Sequence, residues 1–319
     1  MHFLRRFFLL AAGIVLNVGI VNVRSSQAQQ PQSGADDQVQ IQTISVADGI
    51  YMLYVGRGSN IAVFAGEDGV ILVNASSAQL SRRIVETVEK ISSKPIRFII
   101  NTDSHEPNTA GNAIFGKLGV AIVSHENVRK RLSVERFNPR GTQRIPALPT
   151  EALPTLTYTH DMSLHFSGED IHVFHEDSAH SDSDSVVYFH RANVVQTGDL
   201  FFPNNYPIID VSGGGTISGM IAAVDRILKM ANPQTKVIPG RGPLSNLTEL
   251  TEFRDMLVTV RDRVLEGIRA GKTLEQILDT KPTTEFDENR KGWHELANQR
   301  TGTDFAKEVY EDLSRLTRR

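Results

Sequence analysis

The chain has 319 residues, 40% of them hydrophobic and 22% charged, a globular composition long enough for one large domain or two smaller ones. A net charge of -3, with no basic stripe interleaved with aromatics, argues against a nucleic-acid partner. The absence of cysteine rules out disulfides, a lipid-bearing cysteine and thiolate metal ligands.

In chain order, Arg5 and Arg6 precede a mostly apolar run over residues 7–23, and Ser26-Gln27-Ala28 has the small-x-small form of a cleavage site. Residues 1–28 read as a signal peptide, which predicts a periplasmic or secreted protein with no stable membrane anchor after cleavage. The arginine pair also fits a twin-arginine signal loosely, so the export route stays open. Residues 29–40 are polar and aperiodic, a flexible linker.

Three apolar runs, residues 50–55, 60–65 and 69–74, are separated by Gly-containing turns and predict an antiparallel meander. Leu80, Ile84, Val85, Val88 and Ile91 share one face of a helix, and Pro95 lies beyond its end. A strand over 96–100 runs into the polar stretch Asn101-Thr102-Asp103-Ser104-His105-Glu106-Pro107-Asn108-Thr109-Ala110-Gly111-Asn112, and a helix follows it. A polar loop at the end of an apolar strand is a common seat of chemistry. A strand at 120–123 and a helix at 126–132 come next, with Arg129-Lys130-Arg131 as a solvated face. Residues 133–154, broken by Pro139, Pro146, Pro149 and Pro154, predict an excursion over the surface.

The second half repeats this rhythm, with strands at 156–159, 162–166, 171–175, 185–189 and 194–196. A helix carrying Ile217, Met220, Ile221, Val224, Ile227 and Leu228 and a last short strand at 237–240 complete it. Meander and helix–strand alternation, occurring twice, predict two sheets packed together with helices outside. Helices follow, opened by the capping-box patterns Asn246/Glu249 and Thr273/Gln276. Trp293 and the aromatics Phe305 and Tyr310 read as packing of this tail on the body.

Five segments in this order carry a family signal: Asn101-Thr102, Thr109-Ala110-Gly111-Asn112, Ala179-His180-Ser181-Asp182-Ser183-Asp184, Thr197-Gly198-Asp199-Leu200 and Pro239-Gly240-Arg241-Gly242-Pro243. The chain resembles the metallo-β-lactamase-fold hydrolases over nearly all its length after the linker. The resemblance implies an α/β (α+β) fold, a four-layer αββα sandwich over residues 41–245, with a helical C-terminal extension over 246–319. It also implies zinc-assisted hydrolysis of a small ester, amide, lactam or thioester.

That family's first metal motif reads His-x-His-x-Asp-His, and here the frame departs from it. Asp103 stands in place of the first histidine, and His105 keeps the second. Pro107 and Asn108 replace the aspartate and last histidine, and Arg241 replaces the histidine of the Gly-rich turn. His180 and Asp199 match a ligand histidine and the bridging acid. The resemblance therefore implies Asp103, His105, His180 and Asp199 as metal residues, with Asp182 and Asp184 buttressing the ligand histidine from behind.

Pro107 has no donor, Asn108 is a poor zinc ligand, and Arg241 is a permanent cation, so the second zinc position is lost. Arg241 is expected to pair with Asp199. At most one zinc ion is expected, and His105 and His180 are either its ligands or hydrogen-bonded residues of an inherited pocket. The functional reading is a hydrolase-like protein with a mononuclear or weakened zinc site and a small-molecule substrate. The alternative is an inactive family member that binds an anionic ligand through Arg241. Other histidines offer less. His172 and His175 point to opposite faces of a strand, and His160, His165 and His190 have no visible partner set. Gly213-Gly214-Gly215 reads as a flexible rim loop.

Overall fold

The computed structural model describes residues 39–56, 58–137, 142, 144–290 and 300–317. The predicted signal peptide, most of the linker and Trp293 lie outside them.

The described residues form a four-layer sandwich. In the first sheet β1 (Gln42–Ala47), not foreseen, precedes β2 (Ile50–Tyr54), β3 (Ile61–Gly66) and β4 (Gly69–Val73), which make the expected antiparallel meander. β5 (Ile96–Asn101) and β6 (Ala121–His125) then add in parallel. A short hairpin, β7 (Arg136–Phe137) and β8 (Arg144–Ile145), interrupts the surface excursion before β9 (Leu156–Tyr158) joins the edge beside β6. The second sheet holds β10 (Asp161–Phe166), β11 (Glu169–Glu176), β12 (Asp184–Phe189), β13 (Val194–Gln196), β14 (Lys236–Ile238) and β15 (Ser245–Asn246) in that order. Within it, β13 and β14 pair in parallel.

Strand alternation explains why the middle strands read as unbroken apolar runs. On β4, Ile71 and Val73 face the second sheet, in one cluster with Ile171, Val173, Val187 and Phe189. Val70 and Leu72 face outward, against Ile84 and Val88 of α1 (Ser81–Ile91). Both faces are covered, so no polar alternation survives. The strand β1 is a short, half-exposed edge strand, and the alternation of Ile44 and Val46 with polar residues is the signal that could have found it.

The first half also contains α2 (Glu106–Thr109), α3 (Asn112–Lys117) and α4 (Glu126–Leu132). The outer face of the second sheet is covered by α5 (Ile217–Met230) and α6 (Leu247–Arg269), followed by α7 (Leu274–Asp279), α8 (Thr284–Asp287) and α9 (Gly302–Thr317). The C-terminal helices share one apolar cluster with that sheet: Phe253, Leu257 and Val260 of α6 and Phe305 and Val309 of α9 lie with Phe174 and Val186. Thr273 and Gln276 form the complete capping box expected of them. Asn246 caps α6 by accepting from the Glu249 amide, but the Glu249 carboxylate turns to the Ser245 hydroxyl, so the second half of that box is not made.

Phe253 is fully buried and meets Phe201 edge-on at 5.1 Å between ring centroids. Phe253→Ala is expected to lower stability by about 3–5 kcal/mol, measured by urea unfolding, because the sheet beneath cannot collapse into the void.

Candidate metal centre

The candidate site lies beyond the carboxyl ends of the parallel strands, where ligands of open α/β sheets gather. The chain leaving β5 carries Asp103 and His105, that leaving β13 carries Asp199, and that leaving β14 carries Arg241. His180 arrives on the connection between β11 and β12.

Buried amides hold the first loop in place. Asn101 and Asn112 exchange side-chain hydrogen bonds at 3.1 and 2.8 Å, and Asn101 also donates to the Asn108 carbonyl at 3.2 Å. The Thr102 amide donates to Asn74 Oδ1 at 2.9 Å, while the Thr102 carbonyl accepts from the Ser185 amide of the other sheet at 2.7 Å. The Asn-Thr and Ala-Gly-Asn segments of the motif are thus the staples of the loop. What reads as a continuous polar loop contains the short helix α2, with Pro107 in its first turn, where a missing N–H costs nothing.

Asp103 is fully buried. Its Oδ1 accepts from the His105 amide at 2.7 Å and its Oδ2 from Asn108 Nδ2 at 2.6 Å. His105 Nδ1 lies 3.3 Å from Asp103 Oδ1, off the direction of a hydrogen bond, and is buried with no hydrogen-bond partner. The other nitrogen, Nε2, contacts Asp210 Oδ2 at 3.2 Å. The His180 ring stands 4.6 Å from that of His105, and its Nδ1 contacts Asp184 Oδ1 at 3.1 Å. Asp103, His105 and His180 can each offer one ligand atom, all within 4.8 Å of one another.

Burial opposes a charge on His105, but the carboxylates of Asp103 and Asp210 outweigh it and push its pKa up to about 10. Burial also works against the Asp210 charge, yet His105 and Ser212 hold that carboxyl well below the usual range. His180 is raised too, as Asp184 overrides desolvation. The negative potential that draws protons to these rings would equally draw a divalent cation, which competes for the same lone pairs.

The donor set fits one zinc ion. Zinc accepts a carboxylate and two imidazoles and leaves a fourth position open. Each ring already has one nitrogen held by a carboxylate, the arrangement ligand histidines need, and the orphaned His105 Nδ1 is buried beside Asp103. The residues around Asp199 do not fit a second ion. Asn108 Nδ2 points toward Asp199 Oδ1 at 3.4 Å, and Arg241 Nη2 stands 3.8 Å from Asp199 Oδ2. Asp199 therefore sits apart from the Asp103–His105–His180 group, with Asn108 and Arg241, rather than as a fourth member of it.

Two further placements differ from the sequence reading. Asp184 holds His180, but Asp182 turns away and forms a two-pronged pair with Arg131 at 2.6 and 2.7 Å. Arg131 is therefore no solvated face residue; it fastens α4 to the His180 loop. Sequence reading also missed Asp210, an acid between apolar Ile209 and Val211 whose only signal was its isolation beside a triple glycine. His172 and His175 do lie on opposite faces: His172 Nε2 stands 3.4 Å from Asp161 on one, and His175 stacks on His125 on the other with centroids 3.6 Å apart.

A cavity of about 460 Å³ opens onto this group. His105, His180, Asp199 and Arg241 meet it, and Phe137, Ile145 and Ile208 give it an apolar wall. Arg131 and Arg136 also line it, as do Glu106 and Asp210, and Arg131 is paired with Asp182.

The metallo-beta-lactamase superfamily model matches residues 54–242. The chain belongs to that superfamily. Among solved structures, a metallo-beta-lactamase from Pontibacter korlensis is similar at 14% identity and a TM-score of 0.57, covering 69% of this chain and 99% of its own. DIM-1 metallo-beta-lactamase is similar at 17% identity and a TM-score of 0.56, covering 69% and 98%. The stereoselective inverting sec-alkylsulfatase Pisa1 from Pseudomonas sp. is similar at 16% identity and a TM-score of 0.61, covering 85% of this chain but 50% of its own. Identities this low speak for the shared fold alone.

Asn108 is the side-chain donor to Asp103 Oδ2. Asn108→Leu is expected to cost about 1–3 kcal/mol in urea unfolding at neutral pH, since it strips a buried carboxylate of a charge-assisted hydrogen bond.

Proposed function

We propose that this chain is a metal-dependent hydrolase with a single zinc ion on Asp103, His105 and His180, acting on a small ester, amide, lactam or thioester that bears an anionic group. The observation that carries the reading is the Asp103, His105 and His180 group, whose ligand atoms lie within 4.8 Å of one another and whose two rings are each steadied by a further carboxylate. Zinc would supply Lewis-acid activation of water and of the scissile carbonyl. Arg241 orients the substrate through its anionic group, and the apolar wall of the cavity takes the body of the molecule. Asp199 Oδ1, which Asn108 Nδ2 approaches at 3.4 Å, would accept the proton of the attacking water. With Arg241 where a second ion would bind, the protein's own cation balances part of the charge that develops. The signal-like residues 1–28 support export to the periplasm or beyond. Among the described residues no helix is long and apolar enough to cross a membrane.

One observation favours a second reading. Among the described residues Arg241 Nε is buried without a hydrogen-bond partner, and its guanidinium makes a 3.8 Å contact with Asp199 and lies 5.8 Å from the Phe202 ring centroid. A cation so weakly satisfied suits a binding protein for an anion, with no turnover.

Elemental analysis of untagged protein separates the two. About one zinc per chain is expected, lost in His105→Ala and in His180→Ala, with hydrolysis that stops on chelation. Metal-free, folded protein whose binding of an anionic ligand ignores chelator but fails in Arg241→Ala would overturn the hydrolase reading in favour of the second.

A further inference from the structure

We propose that Asp210 is a positioning residue that sets both candidate ligand histidines at once, and that the triple glycine after it exists to make this possible. The inference rests on the zinc reading above. Asp210 is buried, and its two ends reach different histidines. Its Oδ2 meets His105 Nε2 at 3.2 Å, and its backbone amide donates to the His180 carbonyl at 2.8 Å. A carboxylate only accepts, so the proton between Asp210 and His105 lies on Nε2. When the ring is neutral, as a zinc ligand must be, Asp210 keeps it in the form whose lone pair is on Nδ1, the atom that lies 3.3 Å from Asp103 Oδ1.

The carboxylate itself is clamped. Its Oδ1 accepts from Ser212 Oγ at 2.6 Å and from the Gly213 amide at 2.8 Å. The Gly215 amide returns to the Asp210 carbonyl at 2.8 Å, closing the loop around the residue. The glycines are steric necessities here. A Cβ on Gly213 would stand 2.2 Å from Asp210 Oδ2, the oxygen that holds His105, and one on Gly215 would stand 2.1 Å from the His180 carbonyl oxygen. The run expected to be a flexible rim is therefore a fitted cover, and Arg131 pins it further by donating to the Gly213 carbonyl at 2.8 Å.

The test measures zinc affinity by competition with a chromophoric chelator, alongside the imidazole N–H resonances of metal-free and zinc-loaded protein. Asp210→Ala is expected to weaken zinc binding roughly 10–100-fold and to abolish the slowly exchanging His105 Nε2–H signal. Asp210→Asn, which can still accept from Nε2, should restore that signal and part of the affinity. Ser212→Ala, which removes one clamp on Oδ1 and leaves the Gly213 amide, should keep the Nε2–H signal and cost clearly less affinity than Asp210→Ala. Wild-type zinc affinity in Asp210→Ala would overturn the proposal, and so would an equal loss in Asp210→Ala and Ser212→Ala, which would make Asp210 simple loop scaffolding. A wild-type protein that shows the Nε2–H signal, lost in Asp210→Ala, yet takes up no zinc would sink the metal reading while upholding the hold of Asp210 on His105.

Discussion

A carboxylate shut away from water at the junction of two sheets sets the terms for everything around it. Asp103 has no exposed surface, so its charge has to be met by protein groups. One donor comes from the backbone of the same loop and one from Asn108, and the two histidine rings lie close by. Asn108 and His180 are buried and His105 partly so, and each is fixed by a further partner: Asn108 by the helical turn of α2, His105 by Asp210, His180 by Asp184. The site is a chain of obligations that begins at one negative charge. Replacing a histidine by an aspartate at this place does more than exchange a ligand, because it moves negative potential to the centre and makes the rings more basic.

The far side of the site follows from the same electrostatics with the opposite sign. Where Pro107, Asn108 and Arg241 stand there is no second set of metal ligands among the described residues, and the Asp199 charge faces a guanidinium. A guanidinium cannot lose its proton or exchange ligands, so this half of the cavity holds a fixed positive charge. The two halves thus present different chemistry to anything that enters, a group of lone pairs on one side and hydrogen-bond donors on the other.

Support for this arrangement is spread across both halves of the molecule. α4 is sutured to the His180 connection through Arg131 and Asp182, and Asn127 adds a bond to the Asp182 carbonyl at 2.7 Å. The second sheet is backed by the C-terminal helices in one continuous apolar cluster. A site assembled from loops gains its precision from such rigid backing.

Much of this was legible in the chain. The periodicities of residues 50–74 and 80–91 declare a meander and an outer helix, since burial of an alternating or helical face leaves a direct mark on sequence. The motif frame picked out Asp103, His105, His180 and Asp199, of which the first three lie together, and an arginine in place of a ligand is readable from chemistry alone as a group that cannot coordinate. Tertiary structure alone decided the partners. Asp182 and Asp184 are two residues apart and chemically alike, yet only the path of the loop assigns one to His180 and the other to Arg131. Asp210 lies 105 residues from His105, and its contact with that ring leaves no periodic or local trace. The glycines beside it carry the composition of a flexible loop and serve as close-packed backbone instead. Residue type sets what a side chain is able to do; distance and direction in three dimensions choose for whom it does it.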